Sequence, residues 1–216
     1  MFNLPPTWAI RPLPIVDLGL VFILTNLYIV DIITFHIFME MEMSKVIMAG
    51  DEIKRALMRI GYEILEHNKG SQNLALVGIY TGGAYLAKRL QNIIFEIEGK
   101  KPLLGTLDIN LYRDDWTRLV QQPLLKKTEI SFSVDDKNIV LVDDVIFTGR
   151  TIRAAMDAIM DFGRPQKIEV AVLIDRNHRE LPIMANYIGL YVPTAQEEMI
   201  DVFLSEKDDK DEVIIR

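Results

Sequence analysis

Apolar and polar positions along the chain follow two periods. Ile53, Leu57, Ile60 and Ile64 recur at helical spacing, which predicts a helix that Asp51 can cap and that stops near "NKG", with Gly70 as its C-terminal glycine. "LALVGIY" (Leu74 to Tyr80) has no polar interruption, as a parallel strand covered on both faces requires. "TGG" follows, then a helical "AYLAKRLQNIIFEI", then a strand "LLGTLDINLY" (Leu103 to Tyr112). "RDDWTRLVQQPLLKKTE" has no clear period and reads as a long mobile connection. "IVLV" (Ile139 to Val142) is a strand, and Thr151 to Phe162 a helix with Ile152, Ala155, Met156, Ile159 and Met160 on one face, stopped by "GRP". "IEVAVLID" (Ile168 to Asp175) is a further buried strand, and "RNHRELPI" leads off it. Strands that are apolar throughout, alternating with helices, predict an α/β fold with a mainly parallel central sheet and helices on both faces. Ligands of such sheets gather at the carboxyl ends of the strands. Three of those ends carry distinctive polar sequence: "TGG", "DDVIFTGRT" and "DRNHRE".

The first forty residues break this pattern. Ile15 to Met39 is apolar but carries Asp17 and Asp31. A bilayer span needs ~20 predominantly apolar residues, and an aspartate near its centre costs about 2.5–3.5 kcal/mol. No small-residue cleavage pattern follows it either. Met39, Met41 and Met43 precede the orderly "MSKVIMAGDEIKRAL". We therefore expect residues 1–42 to be an apolar extension ahead of the native start near Met43, and residues 43–216 to form the functional domain. An amphipathic, membrane-associated segment and a folded extension are the alternatives.

Composition narrows the chemistry. The chain has no cysteine, which excludes disulfides and thiolate metal sites, and three histidines (His36, His67, His178) make a histidine zinc site a poor expectation. With 24 basic and 31 acidic residues the net charge is −7, which argues against a broad nucleic-acid footprint. The run "SEKDDKDE" (Ser205 to Glu212) reads as a solvated turn or ribbon.

The element "IVLVDDVIFTGRT" (Ile139 to Thr151) carries the most chemistry. A Thr-Gly-x-Thr turn entering a helix offers backbone N–H groups and a positive dipole end to an anion. Gly149 permits close approach, and Thr148 and Thr151 can donate hydroxyls and cap the helix. Neither a G-x-x-x-x-G-K-[ST] loop nor a G-x-G-x-x-G fingerprint is present. Aspartates at a strand end accept hydrogen bonds from sugar hydroxyls or help hold Mg²⁺. A ligand with a phosphate at one end and a ribose diol beside it satisfies both halves. Receiver domains also contain "VLVDD", but near their start, whereas Asp144 lies two thirds of the way along this chain.

These thirteen residues resemble the 5-phosphoribosyl-1-pyrophosphate (PRPP) signature of type I phosphoribosyltransferases. "RALMRIGYEILEHNKG", "LVGIYTGGAYLAKRL", "DINLYRDDW", "GRPQKIEVAVLIDRNHRELPI" and "YIG…VPT" narrow the resemblance to the PyrR family, uracil phosphoribosyltransferases that in some bacteria also regulate the pyrimidine operon. It runs from about Ser44 to the C-terminus. It implies a type I phosphoribosyltransferase fold with a small hood, and the cytoplasmic reaction of uracil with PRPP to UMP and pyrophosphate, with Mg²⁺ bound through PRPP near Asp143 and Asp144. The resemblance assigns Asp143 and Asp144 to the ribose hydroxyls, and Val145, Ile146, Phe147, Thr148, Gly149, Arg150 and Thr151 to the 5-phosphate. Tyr80, Thr81, Gly82 and Gly83 become the pyrophosphate loop, often with a non-proline cis peptide, and Arg113 and Asp114 the lid. Asp175, Arg176, His178 and Arg179 become the hood over uracil, with His178 read as packing. A homo-oligomer is implied, and no membrane partner.

Two departures bear on regulation. RNA-regulating members usually have arginine where Gly82 stands; glycine removes a cation from the pyrophosphate and raises the PRPP requirement. The basic face expected for pyrimidine leader RNA is thinned: Lys54, Arg55, Arg59, Arg176 and Arg179 remain, beside Met58, Tyr62, His67, Met184 and Leu190. Two further readings stay open: an RNA-binding attenuator responsive to UMP or PRPP with little catalysis, and a phosphoribosyltransferase for another base.

Overall fold

The computed structural model describes residues 44–112 and 128–216. The apolar N-terminal extension and the lid residues Arg113 and Asp114 lie outside the described residues.

The described chain opens with β1 (Lys45–Ala49) and α1 (Gly50–Asn68). Ala49, still extended, is the N-cap of α1, and its N–H donates to Glu52 Oε2 at 2.8 Å. Asp51 therefore sits inside the first turn and is not the predicted cap. The helix ends with Lys69 in the left-handed region (φ 54°) and Gly70 (φ 105°), whose N–H donates to the Leu65 carbonyl at 2.9 Å. There follow β2 (Leu74–Ile79), α2 (Gly82–Glu98), β3 (Leu103–Leu107), β4 (Asn138–Ile146), α3 (Arg150–Met160), β5 (Lys167–Asp175) and β6 (Tyr187–Tyr191). The chain closes with β7 (Ile200–Phe203), the single turn α4 (Ser205–Asp208) and β8 (Glu212–Ile215).

The five central strands run parallel in the order β3-β2-β4-β5-β6. Period-two alternation sends Leu74, Leu76, Val140 and Val142 to one face, where they pack with Ile53, Ile60 and Ile64 of α1 and Leu86 and Leu90 of α2. Ala75, Val77, Ile139 and Leu141 face the other way, onto Ile152, Ala155 and Ile159 of α3. Burying each large aliphatic side chain contributes about 1.5–3 kcal/mol, so the two clusters fix which face each helix covers. Met160, predicted on the apolar face of α3, is half-exposed at the helix end.

Three predicted boundaries move. β3 ends at Leu107 rather than Tyr112, because the Asp108 carboxylate accepts the Asn110 N–H at 2.9 Å and the Ile109 carbonyl accepts the Tyr112 N–H at 2.9 Å. β4 continues past Val142 to Ile146, since its pairing with β5 persists as far as Ile146 opposite Asp175. α3 starts at Arg150 with Gly149 (φ 90°) as N-cap, which has no side chain to cap with; of the two expected hydroxyls, that of Thr148 accepts the Arg150 N–H at 3.4 Å, and Thr151 lies inside the first turn.

A second, antiparallel sheet of order β1-β8-β7 joins the start of the described chain to its end. Met48, Leu204 and Val213 anchor it in the core on the α1–α2 side. "SEKDDKDE" is the connection between β7 and β8. Among the described residues no helix is long and apolar enough to cross a membrane.

Candidate active site

The carboxyl ends of β2, β4 and β5 are neighbours in the sheet, so the three polar segments that follow them meet at one edge. The loop Tyr80–Gly83 begins with a cis peptide between Tyr80 and Thr81, and the Tyr80 N–H donates to the Leu107 carbonyl at 3.0 Å. Gly83 lies backbone to backbone on the end of β4: a Cβ there would collide with the Val142 carbonyl and the Asp143 backbone. A Cβ on Gly82 would overlap the Asp144 carboxylate. This loop can therefore approach the two aspartates only because it is bare of side chains at both glycines.

Asp143 and Asp144 are both strand residues, at the carboxyl end of β4. Asp143 is buried, and its Oδ1 accepts the Asp144 N–H at 3.0 Å. Asp144 Oδ1 accepts the Val145 N–H at 2.8 Å. Burial pushes the Asp144 carboxyl above the usual carboxylate range; hydrogen bonds from Val145 and Asp143 and the charge of Lys207 act against that rise. A carboxylate held in this way gains from any cation brought beside it.

Past the aspartates, Val145 and Ile146 are strand residues packed into the cores on either face, whereas Phe147 to Thr151 form the turn into α3. The segment after β5 clasps that turn from above. The Thr148 carbonyl accepts the N–H groups of Glu180 (3.1 Å) and Leu181 (3.3 Å), and the Ile146 carbonyl accepts that of Arg176 (3.2 Å). Arg150 forks onto Glu180 Oε2, with Nε at 2.8 Å and Nη2 at 2.7 Å. Thr148 Oγ1 accepts the Arg150 N–H at 3.4 Å, and Thr151 stands in the first turn of α3.

The four predicted hood residues divide by partner. Asp175 ends β5 and accepts from the Asn177 N–H at 2.9 Å and Arg179 Nη2 at 2.6 Å. Arg179 also donates Nη1 to the Phe147 carbonyl at 2.7 Å and Nε to the Ile183 carbonyl at 3.0 Å. Arg176 is buried; Nε donates to Thr194 Oγ1 at 3.1 Å and the guanidinium lies 4.0 Å from the Phe147 ring centroid. His178 Nε2 is 2.6 Å from the Thr194 carbonyl, and its ring meets Phe147 edge-on at 5.8 Å. Phe147 is thus wedged between a cation and an imidazole, tying the turn to the hood.

Sequence reasoning missed Thr194, Glu198 and Arg153. Glu198 gives its carbonyl to Arg176 and its carboxylate to the Ala195 N–H, and Arg153 Nη2 donates to the Tyr112 carbonyl at 3.2 Å. Bonds of side chains to backbone carbonyls have no sequence period, so no signal announced them. The "VPT" stretch ending at Thr194 was noted only as part of the resemblance.

The phosphoribosyl transferase domain model matches residues 44–206. The "Bifunctional protein PyrR" of Caldicellulosiruptor bescii is 55% identical over 175 residues, covering 81% of this chain and 96% of that protein. The protein of the same name from Deinococcus radiodurans is 51% identical over 165 residues, covering 76% and 90%. Among solved structures, the hypoxanthine phosphoribosyltransferase of Staphylococcus aureus superimposes with a TM-score of 0.58 at 21% identity, over 79% of this chain and 90% of that one. The Trypanosoma cruzi hypoxanthine enzyme with its product IMP gives 0.60 at 17% identity, over 80% and 90%. At such identities the superpositions speak for the fold alone, but the sequence relatives reach further: the chain belongs to the phosphoribosyltransferase domain family and, within it, to the PyrR proteins.

Proposed function

We propose that this protein is a uracil phosphoribosyltransferase that transfers the ribose 5-phosphate of PRPP to uracil, giving UMP and pyrophosphate. The observation that carries the reading is the meeting, at one edge of the sheet, of an acidic pair, a glycine-bearing helix-entry turn and a side-chain-poor loop. The turn Phe147–Thr151 takes the 5-phosphate on backbone N–H groups at the positive end of α3. Asp143 and Asp144 accept the ribose hydroxyls. Tyr80–Gly83 takes the pyrophosphate mainly through its backbone, and Arg113 with Asp114 acts as the lid. The clasped hood of Asp175, Arg176, His178 and Arg179 holds uracil.

A uracil ring nitrogen forms the new bond to ribose C1 as the C1–O bond breaks. The electron pair leaves with pyrophosphate, and the nitrogen gives up its proton. Such an oxocarbenium-like displacement depends on stabilising the leaving group and excluding water more than on a strong base. The donor set fits Mg²⁺ delivered with PRPP: two hard carboxylate oxygens donors stand at the strand end, and no group of three or more acidic or histidine side chains among the described residues forms a cage of its own. Asp143 and Asp144 would hold it, and when bound it supplies charge neutralisation on the leaving pyrophosphate.

Mg²⁺-dependent release of pyrophosphate from PRPP, measured across a panel of bases, tests the reading. Uracil should be the preferred base, and Asp143→Asn with Asp144→Asn should abolish synthesis. An active double variant ends the assignment of that pair, and preference for another base makes the protein a phosphoribosyltransferase of that base.

A second reading is favoured by the word "bifunctional" in the names of the relatives: a regulator that binds pyrimidine leader RNA in response to UMP or PRPP. The surface speaks for catalysis first. Arg59 is engaged with Glu63 and the Ile188 carbonyl, while Met184 and Tyr191 stand exposed. Filter binding with leader RNA discriminates: tight, salt-sensitive, UMP-enhanced binding would establish the regulatory role. Assembly into a homo-oligomer belongs to the same reading and is measured by light scattering.

A further inference from the structure

Arg176 is a buried cation that pairs with no carboxylate among the described residues. It is 7% exposed and is the first residue after β5. Its N–H donates at 3.2 Å to the carbonyl of Ile146, the last residue of β4. The guanidinium lies over the ring of Phe147, the next residue along, 4.0 Å from its centroid. Nε donates to Thr194 Oγ1 at 3.1 Å, and Nη2 to the carbonyls of Ala195 at 3.3 Å and Glu198 at 2.5 Å. Every one of these partners is uncharged. The other titratable groups nearby are engaged elsewhere: Asp175 with Arg179 and the Asn177 N–H, Glu198 with the Ala195 N–H, His178 with the Thr194 carbonyl.

Nε and Nη2 share one edge of the planar group, and residues 194–198 occupy that edge. Nη1 lies off it. Nη1 makes no hydrogen bond to any described residue, yet it is not fully enclosed, so the donors of a buried cation open into space. A charge taken out of water is stabilised by an opposite charge, and the protein does not supply one here.

Strand order says which part of the ligand meets that donor. In-line displacement at ribose C1 puts the entering base and the leaving pyrophosphate on opposite sides of the sugar. β4 carries the aspartates that take the ribose, and β2 and β5 flank it on opposite sides. With the pyrophosphate on the loop after β2, the base arrives from the side of β5, where Arg176 stands.

We propose that Arg176 is a catalytic residue that activates the base: Nη1 donates to a ring carbonyl oxygen of uracil and stabilises the negative charge developing there as the attacking nitrogen loses its proton. The proposal rests on the PRPP reading above and adds to it the activation of the nucleophile. The nitrogen bonds to C1 as the C1–O bond breaks, the electron pair leaves with pyrophosphate, and the proton passes to solvent water. Charge left on the nitrogen spreads by conjugation to the carbonyl oxygens, where a desolvated cation acts strongly.

Ultraviolet difference titration tests this on the full chain with ribose 5-phosphate and uracil, since the uracil anion absorbs at longer wavelength than the neutral base. Uracil bound to wild type should ionise about 1–2 pH units below free uracil, the scale of one opposite charge in contact. Arg176→Lys should keep most of that difference and Arg176→Met should lose it. In steady-state kinetics Arg176→Met should lower kcat with uracil about 100-fold, the scale of one lost charge-stabilising donor. 5-Fluorouracil, whose ring N–H is more acidic, should recover about tenfold of that loss in the variant and gain little in wild type. Disturbed packing would slow both bases equally and would move no titration. Bound uracil that ionises like free uracil in wild type overturns the proposal, whether or not the variants fold. An equal loss on both bases overturns it too. A lowered ionisation that Arg176→Met abolishes, in a protein that turns over no base, supports Arg176 and refutes the transferase reading. A wild type that binds no uracil overturns both.

Discussion

Replacing Arg179 with methionine tests the clasp between the hood and the phosphate turn. The substitution keeps an apolar stem but removes the bonds to Asp175 (2.6 Å), the Phe147 carbonyl (2.7 Å), and the Asn177 and Ile183 carbonyls (both 3.0 Å). The Asp175 side chain is 9% exposed and that of Arg179 17%, so the carboxylate left behind is nearly buried. Removing one partner of a buried ion pair costs about 3–5 kcal/mol. Asp175 keeps its bond from the Asn177 N–H and Arg179 retains some solvent contact, which places the expected loss near the lower end, about 3 kcal/mol. At about 2–4 °C per kcal/mol for a chain of this size, the melting temperature should fall by roughly 6–12 °C. The Phe147 carbonyl loses its tether as well, so the KM for PRPP should rise. Denaturant unfolding of Arg179→Met, Asp175→Asn and the double variant isolates the pair: neutralising both partners should cost less than removing Arg179 alone. A single variant melting within about 2 °C of wild type, with no coupling in the cycle, would refute the clasp.

The remaining predictions concern charge. Burial raises the Asp144 pKa above its unfolded value, so this carboxyl contributes stability that is fully present below about pH 4 and is lost as pH rises through the folded pKa. Asp144→Asn can keep the bond from the Val145 N–H and should be more stable than wild type at neutral pH, with the difference closing in acid, while transferase activity falls; equal stability at both pH values would contradict the burial argument. Hydrogen bonds from Arg89 hold the Glu206 carboxyl below its ordinary range; at Asp211 burial pushes upward, but bonds from Arg89 and Ser205 outweigh it. Both depressed groups stabilise above their unfolded pKa values and lose that contribution as pH falls through the folded ones. Arg89→Met should therefore cost about 1 kcal/mol at neutral pH after solvent screening, and progressively less below about pH 4; a pH-independent loss in melting experiments would assign the effect to packing instead.

How much of this was legible in the chain follows from where the physics leaves a pattern. Strands buried on both faces must be apolar without interruption, so Leu74–Ile79 and Ile168–Asp175 could be read directly. β1, β7 and β8 are four or five residues long and mostly part-exposed, and β1 pairs with β8 across most of the chain, Lys45 opposite Ile215. Nothing local announces such a sheet. A reading by hydrophobicity ends β4 at its first charge, whereas backbone pairing with β5 is indifferent to side-chain charge and carries both aspartates inside the strand. The helix-entry turn was visible because Gly149 must take a positive φ there. The clasp was not, because Arg179, Arg176 and Arg153 bind carbonyls whose positions depend on tertiary packing.

Position 82 shows why the same residues read differently once folded. In the sequence, glycine there counts as a missing cation on the pyrophosphate loop. In the fold, the place of a Cβ is occupied by the Asp144 carboxylate, so residue 82 and the side chain of residue 144 form a single choice. A larger residue at 82 requires Asp144 to swing away from the loop; glycine lets the carboxylate settle against it, partly desolvated. That arrangement makes the strand end hungrier for positive charge than either residue suggests alone. Mg²⁺ entering with PRPP is one source under the proposed reaction.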